Sequence, residues 1–189
     1  MKHVILFLGN ILGICPVIYL VWNILHNVYG AEPSKAILHF MGDWSIYFLL
    51  SILLAQWCFK SLKISWKYLP LIIKIFGLYA FLYALGHILF YGIMEQDSNI
   101  ETILREIRLR IYLFIGAFGF LILLILAIFS LFAHHIFTRI SSLVYLAGLL
   151  SAIHYLLGQK IAIPSSYIIF LLFFILLCAK LLSKNKDSR

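Results

Sequence analysis

The feature that most constrains this chain is a series of six long apolar runs, separated from one another by charged residues. Each run has sixteen or more consecutive residues without a formal charge. About 20 apolar residues are enough for an α-helix to cross the hydrocarbon core of a membrane. The six runs are Val4–Val28, Trp44–Phe59, Ile75–Met94, Ile111–Thr138, Ile140–Gln159 and Ile161–Ala179.

Composition places the chain among integral membrane proteins. Hydrophobic residues make up 64% of it and charged residues 12%, whereas a soluble domain is roughly half apolar and a quarter charged. Backbone polar groups find no water in hydrocarbon, so each run is expected to be helical. The sequence predicts an all-α, polytopic membrane protein, a bundle of six transmembrane helices forming one domain over residues 1–189. The second run is expected to extend back toward Leu38.

The net charge of +8 lies in clusters between the apolar runs. This pattern does not indicate nucleic-acid binding, because clustered Lys and Arg beside spans determine membrane orientation. With a cytoplasmic N-terminus, five basic residues lie outside and ten inside, so both termini are predicted to be cytoplasmic. The outer five are Lys35, Arg105, Arg108, Arg110 and Lys160; the inner ten are Lys2, Lys60, Lys63, Lys67, Lys74, Arg139, Lys180, Lys184, Lys186 and Arg189.

The segment before the fourth run has a helical pattern of its own. Ser98-x-x-Glu101 is a capping-box sequence. We predict a short amphipathic helix on the outer membrane surface, which could be a lid over a site or a simple connector. The apolar residues that share one face of it are Ile100, Ile103, Leu104 and Ile107.

Two of the seven histidines lie well inside apolar runs. His87 is seven residues from the end of the third run, and His154 is five residues from the end of the fifth. At about 1.5 Å per residue they are predicted to lie at similar depth, near the outer face. An ionisable residue inside a span is costly, so its presence suggests a functional site. The other five, expected to be solvated or hydrogen-bonded near interfaces, are His3, His26, His39, His134 and His135.

Two histidines at one depth on two helices can supply both axial ligands of a haem iron. Zinc is less favoured, because no third ligand is predicted at that depth. The alternative is that the neighbouring small residues let helices pack closely, with each imidazole bonded to a serine or a carbonyl. These small residues are Ala147, Ser151 and Gly158 near His154, and Ala80, Ala84 and Gly86 near His87.

Arg110 opens the fourth run at the outer side. Its guanidinium could bind a haem propionate, since Arg forms forked hydrogen bonds to carboxylates. The alternative is an ordinary interfacial anchor.

Several short motifs occur in a recognisable order along nearly the whole chain. They are Gly30-Ala-Glu-Pro33 with His39-Phe-x-Gly42; Gly77-Leu-Tyr-Ala-Phe-x-Tyr83 with His87 and Tyr91; Arg110-x-Tyr112 with Gly116; Leu126-Ala-x-x-Ser130; and Leu143-Val-Tyr145 with Ile153-His-Tyr155 and Lys160. In this order the chain resembles the ferric-reductase-like transmembrane family, in particular its MsrQ (YedZ) group of haem-binding membrane subunits.

The resemblance implies six helices in the bacterial inner (cytoplasmic) membrane with both termini cytoplasmic. It implies one haem b at the periplasmic level held by His87 and His154, and FMN has also been associated with the family. Electrons would come from the quinone pool or a cytoplasmic flavin reductase. They would pass to a periplasmic MsrP-like molybdopterin reductase that repairs methionine sulfoxide in proteins. The chain would then be an electron-transfer subunit without catalytic residues of its own.

This chain departs from the family pattern at Ser141, where a further histidine is expected. Ser141 precedes His154 by thirteen residues, about 20 Å along one helix. The missing ligand would therefore belong to the cytoplasmic level, where His134 or His135 could substitute. The departure keeps open a haem-less relative that acts as a membrane scaffold or assembly partner. A proton-coupled transporter is a third reading, but the sequence shows no paired broken helices and no acidic residue in a span centre.

Overall fold

The computed structural model describes residues 1–30, 33–159 and 163–187, and in these ranges every regular element is a helix. The predictions that fall on Ala31, Glu32 and Lys160 lie outside the described residues. A π-helical segment, Tyr91–Glu95, directly continues the third helix. The helices are α1 (Lys2–Leu25), α2 (Ser34–Ser61), α3 (Leu69–Phe90), α4 (Ile100–Leu109), α5 (Ile111–Phe132), α6 (His134–Ile140), α7 (Leu143–Gly158) and α8 (Pro164–Asp187).

Five helices are each long and apolar enough to cross a membrane, namely α1, α2, α3 with its π-helical extension, α5 and α8. The α6 and α7 helices satisfy the same criteria only together, and they are bent by 62° at the break between them. The all-α class and the presence of several helices that could cross a membrane are therefore confirmed. Within the described residues, five helices meet these criteria, or six when the bent pair counts as one.

The fourth and fifth runs are divided differently from the prediction. The α5 helix ends at Phe132, six residues before the predicted end, and α7 begins only at Leu143. Hydroxyl groups bond the backbone within α6 and just after its end: Thr138 Oγ1 donates to the His135 carbonyl (2.8 Å) and Ser141 Oγ donates to the Thr138 carbonyl (3.1 Å). Such local bonds compete with a continuous helix. Ser141 therefore lies in a turn, and the predicted single helix from Ser141 to His154 is wrong.

Three other boundaries extend past charged residues. The α2 helix begins at Ser34 and includes Asp43, so the predicted extension of the second run back toward Leu38 is confirmed and continues four residues further. The α3 helix begins at Leu69 and contains Lys74, and Pro70 lies in its first turn, where a missing N–H is tolerated. The α8 helix starts at Pro164 and continues past Lys180 to Asp187. A single charge does not end a helix, so charge separates the runs without fixing helix ends.

The helix predicted before the fourth span is present as α4, but its cap differs. The Thr102 N–H donates to Asn99 Oδ1 at 3.1 Å, so Asn99 is the capping residue. Ser98, the predicted cap, has a φ of +59° and its N–H donates to the Gly92 carbonyl at 2.8 Å. The capping-box assignment is therefore wrong by one residue.

The chain divides into two compact units. Unit 1 comprises Met1–Ile52 and Ile64–Leu104, and unit 2 comprises Leu53–Lys63 and Arg105–Arg189. In unit 1, α1 packs on α3 through a small-residue face, as helices in lipid commonly do. Gly13 lies directly against the Tyr79 ring, and Tyr83 Oη donates to the Gly13 carbonyl at 3.0 Å.

The α2 helix also packs on α3 within unit 1. Buried Ser45 donates through Oγ to the Ala80 carbonyl at 2.9 Å. The Phe48 ring, 5% exposed, lies 5.3 Å from the Phe76 ring and 5.5 Å from the Tyr83 ring between centroids. These contacts position α2 relative to α3, the helix that carries His87.

In unit 2, α7 packs against both α5 and α8. On the α5 side, a Cβ placed at Gly119 would lie 3.4 Å from Leu150 Cβ, which is an ordinary contact. On the α8 side, Gly148 lies against the Phe173 ring, which is only 1% exposed. The packing of unit 2 therefore requires glycine more strictly at position 148 than at position 119.

We expect Gly148→Ala to destabilise unit 2 by about 1–3 kcal/mol, because the added methyl group would overlap the Phe173 ring. The measurement is thermal unfolding of the purified protein in detergent. Gly77→Ala is the matched control, since its Cβ would meet only Ile52 Cδ1, at 4.0 Å. The Phe173→Leu change should restore part of the loss, and equal stability of the two glycine variants would contradict this packing.

Candidate functional site

His87 lies in the last turn of α3, within unit 1. Its Nδ1 is 2.9 Å from the backbone carbonyl of Leu38 on α2. A carbonyl oxygen can only accept a hydrogen bond, so Nδ1 carries the proton and donates. In the neutral ring, Nε2 is then the nitrogen that holds the lone pair.

A glycine makes the Leu38 carbonyl accessible to this imidazole. Gly42 lies four residues after Leu38, and a Cβ placed there would be 3.1 Å from His87 Nδ1. Helical side chains tilt toward the N-terminus, so the residue at i+4 covers the carbonyl of residue i. Glycine at this position leaves that carbonyl uncovered, and the imidazole fills the space.

His154 has the same arrangement within unit 2. Its Nδ1 is 2.7 Å from the backbone carbonyl of Tyr112 on α5. Gly116 lies four residues after Tyr112, and a Cβ placed there would be only 2.6 Å from His154 Nδ1 and 2.8 Å from Cε1. The imidazole also stacks on the Tyr112 ring, with centroids 5.9 Å apart and planes 29° apart.

Each unit thus holds one histidine by a carbonyl at position i and a glycine at i+4 of a neighbouring helix. The alternative drawn from the sequence, an imidazole bonded to a carbonyl across a helix interface, is confirmed for both residues. That bond uses Nδ1 alone. Histidines that bind metals commonly donate their other ring N–H to a carbonyl, which fixes the tautomer and makes the ligating nitrogen more basic. The donor chemistry of His87 and His154 therefore fits an axial ligand of haem iron.

The small residues beside the histidines take part in helix packing inside each unit. Ala80 and Ala147 are fully buried. A Cβ at Gly86 would lie 3.4 Å from the Met41 sulfur. Ser151 Oγ is 3.7 Å from the corresponding position at Gly119. Close packing accounts for these residues without a cofactor.

Arg110 is the residue that immediately precedes α5, with an extended backbone. Its Nε lies 2.5 Å from Glu106 Oε2, and Nη1 donates to Tyr112 Oη at 3.2 Å. A chain of contacts therefore runs from Glu106 through Arg110 and Tyr112 to His154. Glu106 offsets the charge of Arg110, so a haem propionate would share the guanidinium with it. Binding of a propionate by Arg110 stays a prediction.

The histidines predicted to be near interfaces either bond to local partners or are exposed to solvent. His26 Nδ1 lies 2.9 Å from the Trp22 carbonyl, and its ring stacks on the Trp22 ring at 4.0 Å. His134 and His135 are exposed in the first turn of α6. Across the residues that the structure describes, no cluster of three or more His, Cys, Asp and Glu side chains could hold a metal ion. Substitution by His134 or His135 for the ligand missing at Ser141 stays a prediction.

Three features of this region were not assigned from the sequence. The roles of Gly42 and Gly116 depend on which helix faces each histidine, which the sequence does not give. Asp43, half-buried in α2, is an acidic residue inside a spanning helix. The extension of this helix back toward Leu38 was predicted, but no role was assigned to the carboxylate.

Comparison with known proteins leaves the family open. No protein-family model and no solved structure matches the chain. The resemblance to the ferric-reductase-like transmembrane family rests on the ordered motifs described above.

Proposed function

We propose that this chain is a haem b-binding electron-transfer subunit of a bacterial inner membrane, with His87 and His154 as the axial ligands of one haem. The observation that carries the proposal is the matched construction around the two histidines. Each donates Nδ1 to a backbone carbonyl that a glycine leaves uncovered. One such bond is enough for a histidine with a structural role. Two histidines with the same construction, at similar predicted depth, favour a shared function.

The surrounding residues prepare each imidazole for that task. The Leu38 and Tyr112 carbonyls hold the Nδ1–H tautomer and fix the ring plane, and they increase the basicity of Nε2. The apolar environment favours the neutral ring, because a charge in a span is costly. When bound, the haem supplies a one-electron couple between ferric and ferrous iron.

The wider assignment follows the family resemblance. The α6 and α7 pair would form one bent span, giving six spans in a single domain with both termini cytoplasmic. The α4 helix would lie on the outer membrane surface. The electron donor would be quinol or a cytoplasmic flavin reductase, and FMN is a further cofactor of the family. The acceptor would be a periplasmic MsrP-like molybdopterin methionine sulfoxide reductase, so the chain itself performs no bond chemistry.

A haem-less scaffold or assembly partner is the second candidate. It is favoured by Ser141, which lies in the turn between α6 and α7 and cannot replace a histidine ligand. It is also favoured by the carbonyl bonds, which satisfy one nitrogen of each histidine without a metal. A transporter is less well supported, although Asp43 in α2 and the bent α6–α7 pair are features that transporters use.

The test is the visible spectrum of the full chain purified from haem-replete cells, before and after reduction with dithionite. Wild-type protein is expected to show a Soret band and a sharp α-band on reduction. The double variant His87→Ala with His154→Ala should lack both, while His26→Ala, at an exposed histidine, should keep them. The proposal fails if wild type has no Soret band or if the band persists in the double variant.

Substitutions at Arg110 and Glu106 give a second test, because they should shift the haem midpoint potential in opposite directions. A positive charge near iron stabilises the ferrous state, so Arg110→Gln is expected to lower the haem midpoint potential. Glu106→Gln should raise it, because it removes the charge that offsets Arg110. Each shift should be on the order of tens of millivolts at this pair, whose arginine is exposed. Redox titration of the purified protein measures both, with exposed Arg105→Gln as control. Shifts of the same sign would contradict a site near this pair.

A further inference from the structure

A polar ring closes one end of unit 2, formed by the ends of three helices. Gln56 and Lys60 come from α2, Tyr145 from α7, and Lys180 and Ser183 from α8. Tyr145 Oη donates to Gln56 Oε1 at 3.4 Å, and Lys60 Nζ donates to Ser183 Oγ at 3.3 Å. Lys180 Nζ lies 5.8 Å from the centroid of the Tyr145 ring.

The ring holds two ammonium groups on neutral partners. A serine hydroxyl and an aromatic face position Lys60 and Lys180 without cancelling their charges. Among the side chains that the structure describes, neither lysine has a carboxylate partner. Both are exposed, so a ligand can reach them. The arrangement therefore presents two positive charges, one over the buried Tyr145 ring and one on the Ser183 hydroxyl.

The ends of the apolar runs predict that both lysines lie at the depth of lipid headgroups. Lys60 directly follows the apolar run that ends at Phe59, and Lys180 directly follows the run that ends at Ala179. The charged end of a spanning helix lies where the hydrocarbon core meets the polar headgroups. Basic pockets between transmembrane helices at this level are suited to lipid phosphates.

We propose that this ring binds the phosphate of an anionic phospholipid headgroup. The phosphate oxygens would accept from the ammonium groups of Lys60 and Lys180, while the acyl chains would follow the apolar surface of α8. Exposed side chains on that surface include Leu171, Phe174 and Ile175. The proposal concerns neither histidine and stands apart from haem binding.

The experiment is native mass spectrometry of the purified full chain, titrated with phosphatidylglycerol. Phosphatidylcholine, inorganic phosphate and FMN are added in separate arms. Each lysine should contribute roughly fivefold in affinity, as expected for a basic residue at an anionic membrane surface. Lys60→Gln with Lys180→Gln should therefore weaken phosphatidylglycerol binding by roughly 25-fold.

Two matched variants separate charge from folding. Lys67→Gln with Lys74→Gln removes the same two charges from unit 1 and should bind within about twofold of wild type. Lys60→Arg with Lys180→Arg keeps the charges and should retain binding. An equal loss in the unit 1 variant would overturn the site. Equal binding of phosphatidylcholine, or full competition by inorganic phosphate or FMN, would overturn its assignment to an anionic lipid.

Discussion

Gly116→Ala is expected to lower haem content by about tenfold or more, although it adds only one methyl group. That methyl would lie 2.6 Å from His154 Nδ1 and 2.9 Å from Cγ, where non-bonded atoms cannot remain. The imidazole would have to move away from the Tyr112 carbonyl, losing the bond that fixes its tautomer. Overpacking typically costs about 1–3 kcal/mol, and the lost hydrogen bond adds about 1 kcal/mol.

The controls for this change lie in the same protein. Gly119→Ala, one turn further along α5, meets Leu150 Cβ at an ordinary 3.4 Å and should keep full haem content. It should even gain slightly in stability, because Ala favours helix over Gly by about 1 kcal/mol. Gly42→Ala is intermediate, since its methyl would lie 3.1 Å from His87 Nδ1. Haem per chain, measured by pyridine haemochrome, should decrease in the order Gly119→Ala, Gly42→Ala, Gly116→Ala. Equal haem in the Gly116 and Gly119 variants would contradict the arrangement.

His154→Gly should have the second large effect, loss of the low-spin haem spectrum, and this loss should be reversible. Removal of the side chain would delete one of the two proposed iron ligands and leave a space opposite the Tyr112 carbonyl. Free imidazole at millimolar concentration should enter that space and restore the low-spin spectrum. His87→Gly should behave in the same way beside Leu38. A histidine that only joined two helices would give no spectral recovery.

The matched control is His26→Gly, where the ring bonds the Trp22 carbonyl of its own helix. This variant should keep its spectrum without imidazole and should not change when imidazole is added. Loss of haem from the His26 variant would show that removing any histidine perturbs the protein, and the two ligand assignments would lose their support.

Much of the fold could be predicted from hydropathy, because a chain that crosses a membrane can adopt few kinds of structure. The α1 helix and the amphipathic α4 helix follow their sequence patterns closely. The break between α6 and α7 was not predicted, since the segment from Ala133 to Ser142 is uncharged apart from Arg139. Hydroxyl-to-backbone bonds at Thr138 and Ser141 lie beside this break, and hydropathy does not register such bonds.

The candidate site was predictable only in part. His87 and His154 stand out because an ionisable side chain in an apolar run is unusual. Their partners are backbone carbonyls on helices distant in sequence, 49 residues away for His87 and 42 for His154. A backbone carbonyl leaves no side-chain signature. Only the glycine four residues later marks it, and glycines in spans more often serve helix packing, as Gly13 and Gly148 do here.

Electron paramagnetic resonance of the oxidised full-length protein tests the central claim most directly. With His87 and His154 as the two axial ligands, we expect one haem per chain and a low-spin ferric signal characteristic of two imidazoles. Each single variant, His87→Ala or His154→Ala, should convert that signal to high spin or abolish it. A wild-type protein without haem, a high-spin wild-type signal, or a low-spin signal unchanged in both variants would contradict the account.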